Sequence, residues 1–177
     1  MRKSVVLILT LLGSAGLAVA QAPAAGNVFI GYSYENTSSS ALNLDLNRNN
    51  LQGWEASLEG KVFPHLGIVA DFNGHYGSQD VMGATITGHE EDVMFGPRVS
   101  VPFGKLRPFG EFEVGVGHMN TNAFGSNNSF ATAIGGGLDY RIIRLVAWRF
   151  EGDYVTTRFF NTTQNNIRLS TGIVFRF

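Results

Sequence analysis

The chain has 177 residues, enough for one domain, and its 13 Lys and Arg stand against 14 Asp and Glu. So weak a charge balance gives no grip on a polyanion, and nucleic acid is not an expected partner. There is no cysteine, which excludes disulfides, thiolate metal sites and a lipid anchor built on an N-terminal Cys.

Met1-Arg2-Lys3 leads into an apolar stretch over 5–12 and then into small residues ending Ala18-Val19-Ala20. A basic start, a short apolar core and an Ala-x-Ala end are the marks of a secretory signal peptide. The core is too short to serve as a membrane-spanning helix. Residues 1–20 are therefore expected to be removed, with cleavage between Ala20 and Gln21, leaving 21–177 as a single domain. Losing Arg2 and Lys3 leaves 13 − 2 = 11 basic residues against 14 acidic ones.

Beyond the signal the chain falls into eight stretches of alternating character, near 28–35, 51–63, 67–77, 91–102, 108–118, 130–141, 145–157 and 166–177. Alternation of period two is the signature of strands with unlike faces. One face carries Ile30, Tyr32, Trp54, Leu58, Phe72, Phe95, Val114, Ile134, Trp148, Tyr154, Phe175 and Phe177, and no charge. The other carries Glu55, Glu59, Lys61, Asp71, His75, Arg98, Glu111, Glu113, Asp139, Arg149, Glu151, Asp153, Arg168 and Arg176, interspersed with Gly, Ala and Ser.

Three features turn the apolar face outward, into lipid. Small residues crowd the charged face, as the narrow interior of an eight-stranded barrel requires. The connections alternate between long (36–50, 78–90, 119–129, 158–165) and short, as extracellular loops and periplasmic turns do in outer-membrane barrels. The aromatics sort by depth, with Tyr34, Trp54, Tyr76, Phe130 and Tyr154 towards the outer interface and Phe112, Tyr140, Trp148 and Phe177 towards the inner one. The expected fold is all-β: an eight-stranded antiparallel up-and-down transmembrane barrel, integral to a bacterial outer membrane and surrounded by its lipid and lipopolysaccharide. Pro97, inside the fourth strand, cannot donate a ladder hydrogen bond and is expected to sit in a bulge.

The last strand ends Ile173-Val174-Phe175-Arg176-Phe177. A terminal Phe with apolar residues two and four places before it resembles the targeting signal of bacterial outer-membrane barrels. The stretches Phe95-Gly96-Pro97-Arg98-Val99-Ser100 and Arg149-Phe150-Glu151-Gly152-Asp153-Tyr154 resemble a stand-alone subgroup of the OmpA-like outer-membrane β-barrel superfamily. This resemblance implies that Ile173, Phe175 and Phe177 are read by the barrel assembly machinery. Because the chain ends with the barrel, the peptidoglycan-binding domain of the longer members, and the cell-wall tether it provides, are not expected.

No catalytic set emerges, and no cofactor is called for. His118-Met119-Asn120 lies near Ser126 and Ser129, but no nucleophile elbow accompanies them. Gly135-Gly136-Gly137 is mid-strand, with no helix to follow, and reads as close packing rather than a phosphate loop. His89-Glu90-Glu91-Asp92 reads as a solvated charge run at the outer rim rather than a metal site. Arg98, Arg149 and Arg168 are expected to share a lumenal ion-pair network with Glu111, Glu113, Asp139, Glu151 and Asp153, since buried charges must be paired. The expected role is non-enzymatic: structural, or surface interaction through the loops. A narrow channel is the alternative, and a lipid A-modifying enzyme the remote third.

Overall fold

A sheet in hydrocarbon cannot leave an edge unpaired, so strands with one apolar and one polar face have a single way to satisfy their backbones there. The computed structural model describes residues 25–38, 49–81, 84–121, 125–159 and 162–177. The expected signal peptide and its cleavage site lie outside them. The strands are β1 (Gly26–Ser38), β2 (Asn49–Lys61), β3 (Leu66–Val81), β4 (Ala84–Ser100), β5 (Leu106–Thr121), β6 (Gly125–Arg141), β7 (Val146–Phe159) and β8 (Thr162–Arg176). Each pairs antiparallel with the next, and β8 closes on β1. None of the described residues is helical.

The register sets the shape. Stepping across partners from Val28 leads through Leu58, Ala70, Phe95, Val114, Thr132, Thr156 and Asn165, and returns to β1 at Ser38. The sheet thus closes ten residues from where it began, a stagger that for eight strands tilts them by about 40°. At the seam Gly26 and Phe177 exchange both backbone hydrogen bonds, at 3.0 and 3.1 Å.

The apolar face points outward throughout. Leu58, Phe72, Phe95, Ile134, Phe150 and Leu169 are exposed large hydrophobics around the belt, an arrangement stable in lipid and not in water. Trp148 and Tyr140 are paired neighbours near the inner rim, and Tyr76, Phe130 and Tyr154 lie towards the outer one. Phe112 departs from this sorting: six residues up β5 from Leu106, it sits well inside the strand rather than at the rim.

Two expectations change. The strands run well past the alternating stretches: β4 begins at Ala84 and β6 at Gly125, and β3 continues to Val81. The hydrogen-bond ladder depends on backbone groups alone, so it persists where the hydrophobic pattern stops. There is also no bulge at Pro97. Pairing with β5 omits Gly96 and Pro97 and resumes at Arg98↔Glu111, with the register unchanged from Phe95↔Val114. On the other side Pro97 keeps its place opposite Ile68. The missing donor is absorbed as a local gap in one ladder.

Three short turns close the inner end. Val62 and Phe63 both donate to the Leu66 carbonyl, at 3.0 and 2.9 Å, and Ile142 and Ile143 donate likewise to that of Val146, at 3.0 and 3.1 Å. Gly104, with φ of 63°, makes the tight turn between β4 and β5, where a side chain would be strained.

Candidate functional site

The inward face of the barrel gathers most of the chain's charge. Of its 14 acidic residues, eleven line the described lumen: Glu35, Glu55, Glu59, Asp71, Glu90, Asp92, Glu111, Glu113, Asp139, Glu151 and Asp153. Six cations face them: Lys61, Arg98, Arg107, Arg149, Arg168 and Arg176. The alternation of each strand puts these groups inside, and the curvature of so small a barrel brings opposite walls within side-chain reach.

The lumen is layered. At the inner end Glu59 accepts from Lys61 at 2.5 Å and from Arg107 at 3.1 Å, while Asp139 pairs with Arg149 at 2.7 Å and with Arg176 at 3.3 Å. Just above, the Phe109 ring lies between two guanidiniums, 4.5 Å from that of Arg98 and 4.6 Å from that of Arg149. Phe29 faces Arg149 from the far wall at 5.0 Å. Cation–π stacking with desolvated guanidiniums adds to burial here, and the rings fill the bore.

In the middle, Arg98 donates to Glu111 at 2.5 Å and to Glu151 at 3.2 Å. Arg168 pairs with Asp153 at 2.9 Å and reaches Glu55 and Asp71, each at 3.6 Å. Glu55 also accepts from Ser170 at 2.5 Å. Of the residues expected in one network, the structure joins Arg98, Glu111, Glu151, Arg149 and Asp139 in one set and Arg168 and Asp153 in the next. Glu113 is buried beside them, but neither of its carboxylate oxygens has a hydrogen-bond partner among the described residues.

Small residues make room for these groups. A Cβ on Gly137 would meet the Phe109 ring at 2.7 Å, and one on Gly135 would meet the Gly152 carbonyl at 2.5 Å and run into the Asp153 carboxylate. The glycine run is thus the floor on which Phe109 and Asp153 lie.

The outer end is acidic. Glu35 accepts from Asn166 at 2.6 Å, and its other oxygen stands 3.5 Å from His75 Nδ1, with His75 Nε2 held 2.9 Å from Ser33 Oγ. Glu90 and Asp92 are buried opposite His75 and Asn73 of β3. This corrects the reading of His89-Glu90-Glu91-Asp92 as a solvated run: His89 and Glu91 point outward and pair at 2.9 Å, while the other two point in. Four polar residues in a row carry no visible parity, so sequence alone missed it. Glu35, Phe29 and Phe109 were missed too, the first because it lies at the end of an alternating stretch and the rings because, although they share the parity of the charged face, they carry no charge to mark it.

His118 is directed away from the lumen and lies 2.5 Å from Asn128 Oδ1. Ser129 is buried on the opposite face of its strand, so these two do not form a nucleophile–base pair.

A closed, tilted eight-stranded antiparallel barrel with an apolar outside and a salt-bridged inside has the architecture of a small transmembrane β-barrel. No family model matches the sequence, and no curated protein does. Among solved structures, the fold is shared with the neisserial surface protein A at 14% identity and TM-score 0.71, covering 86% of this chain and 99% of that one. It is also shared with the attachment invasion locus protein of Yersinia pestis, solved with the heparin analogue sucrose octasulfate, at 17% identity and TM-score 0.58 over 86% and 98%. The outer membrane protein H of Pseudomonas aeruginosa matches at 14% identity and TM-score 0.51 over 85% and 99%.

Proposed function

We propose that the protein is a non-enzymatic surface protein, whose barrel is a rigid support for outward extensions that meet a partner outside the cell. The observation that carries this is the closed lumen. Phe29, Phe109, Arg98 and Arg149 pack across the bore with almost no exposure, and an eight-stranded barrel has no spare width beyond its side chains.

The exposed side chains described on the outer ends are mainly amides and hydroxyls, including Asn50, Gln52, Asn120, Ser126, Asn128 and Asn165. They favour a partner recognised by hydrogen bonds rather than by charge. The sulfated sugar in the Yersinia protein is a polyanion, and none of these groups supplies the cations it would want. The test is adherence of cells carrying the intact protein against cells in which residues 39–48 are replaced by a two-residue turn. Equal adherence, with equal folded protein in the membrane, would refute a surface role for that loop.

The second reading is a narrow cation pathway, favoured by the acidic outer lumen. Steady single-channel conductance across a planar bilayer would establish it over the plugged barrel.

A further inference from the structure

The inner end of the barrel exposes charge of one sign. Of the described Asp, Glu, Lys and Arg side chains, four are exposed: Glu91 near the outer end, and Lys105, Arg141 and Arg144 at the inner turns. The acids of the inner end, Glu59 and Asp139, are buried and already paired, the first with Lys61 and Arg107, the second with Arg149 and Arg176. Among the described residues, none of the three exposed cations has an ion-pair partner.

Backbone bonds join the inner turns into one rim. The Ser100 N–H donates to the His65 carbonyl, that of Arg141 to Lys105 and that of Arg176 to Leu145, each at 2.8 Å. The second of these bonds sets Lys105 and Arg141 side by side, and Arg144 follows in the turn between β6 and β7. Among the cations stand side chains that water does not favour. Phe63, Phe103, Ile142 and Ile143 are 63%, 76%, 53% and 61% exposed. A turn lying wholly in water has no use for so many apolar side chains together. Apolar groups beside cations are the combination that binds an anionic membrane surface, the former entering the acyl boundary and the latter meeting lipid phosphate.

We propose that the inner rim binds anionic phospholipid of the leaflet it meets, with Lys105, Arg141 and Arg144 holding headgroup phosphates and Phe103, Ile142 and Ile143 seated among the acyl chains beside them. A zwitterionic headgroup carries its own cation, so three unpaired cations discriminate against it in favour of a net negative one. The outer end offers no such contact, because its one exposed ionised side chain among those described, Glu91, is itself an acid. Lipid held at the rim fixes how deep the barrel sits in the membrane. The rim lies at the far end from the outward extensions, so this contact and the surface role proposed above stand apart.

The protein's two tryptophans report on the two ends. Trp148 faces lipid four residues beyond Arg144, and Trp54 faces lipid on the outer half of β2. The test places the folded barrel in phosphatidylcholine nanodiscs that contain brominated phosphatidylglycerol or, at the same mole fraction, brominated phosphatidylcholine; bromine quenches a neighbouring tryptophan. Trp148 is read alone in Trp54→Phe, and Trp54 alone in Trp148→Phe. At low salt phosphatidylglycerol should be favoured roughly fivefold beside Trp148, the worth of about one cation at an anionic membrane surface. The preference should fall as salt rises and be absent at Trp54. Adding Lys105→Gln, Arg141→Gln and Arg144→Gln to Trp54→Phe should abolish it. Heat-modifiable gel mobility establishes that each variant is folded, and Arg144→Gln alone, which should lower the preference in part, serves if the combined variant does not fold. Equal quenching of Trp148 by both lipids, a preference that survives neutralisation of the cations, or the same preference at Trp54 would overturn the proposal.

Discussion

Because acid outnumbers base among the described lumenal residues by eleven to six, the two sides of one ion pair should not be worth the same. Arg98 and Glu111 make the comparison. Arg98 is fully buried, donates to Glu111 and Glu151, and lies over Phe109. Arg98→Met keeps the bulk and the ring contact but leaves Glu111 without its donor and Glu151 with only Arg149, at 3.5 Å, and breaking a buried pair in this way costs about 3–5 kcal/mol. Water in the lumen would lower that figure. Glu111→Gln leaves Arg98 still bonded to Glu151 and removes one of the excess negative charges, so its cost should be nearer the ~1 kcal/mol of a single exchanged hydrogen bond. The double variant should be more stable than Arg98→Met alone. Urea titration of the refolded barrel in lipid vesicles, followed by tryptophan fluorescence, measures all three. Equal losses for Arg98→Met and Glu111→Gln would refute the claim that the lumen is short of cations.

Other expectations follow from the same geometry. Leu58→Arg and Ile134→Arg place a charge on the lipid face and should each cost about 2–4 kcal/mol near mid-depth, measured by the same titration; no loss would reverse the assignment of faces. Gly137→Val drives a side chain into the Phe109 ring and the neighbouring backbone and should destabilise by at least the ~1–3 kcal/mol typical of overpacking. Its folded fraction on refolding, read by gel mobility, should fall clearly below that of wild type.

How much of this was legible depended on whether a residue's two neighbours differed from it in polarity. Within the membrane they do, so the parity of Leu58, Arg98, Arg149 and Phe175 could be read directly, and with it the barrel. Beyond the membrane the contrast is lost. The sequence over 84–90 has little apolar signal, yet β4 is laddered to β3 throughout it. The same blindness hid Glu90 and Asp92 between His89 and Glu91. Phe29 and Phe109 were hidden for another reason: they share the parity of the charged face but carry no charge, and only the facing Arg149 and Arg98 make the lumen a place for a ring. Pro97 shows a third limit, since a lost donor can be met by a bulge or by a gap, and only the register on both sides distinguishes them.

The C-terminal strand separates stability from assembly. Phe177 and Phe175 point to lipid, as the alternation from Ile173 requires, while Val174 is buried against the inner wall. Phe177 also closes the seam, through its two backbone bonds to Gly26. Deleting it therefore removes one lipid-facing ring, worth about 1.5–3 kcal/mol of burial, and the last pair of the β1–β8 ladder. In detergent the loss should be limited to that, because the pairs from Asn27↔Arg176 to Ser38↔Asn165 remain. If Ile173, Phe175 and Phe177 are also what the assembly machinery reads, the loss in cells should be greater than stability alone can explain. The decisive quantity is the ratio of folded to total protein in outer-membrane fractions, compared with the refolding yield of the same purified variant. A substitution such as Phe177→Leu, which keeps an apolar end and the backbone pairing, tells the two effects apart: it should refold almost as wild type yet assemble less well. If both variants accumulate in the membrane in proportion to their refolding yields, Phe177 matters only as part of the seam.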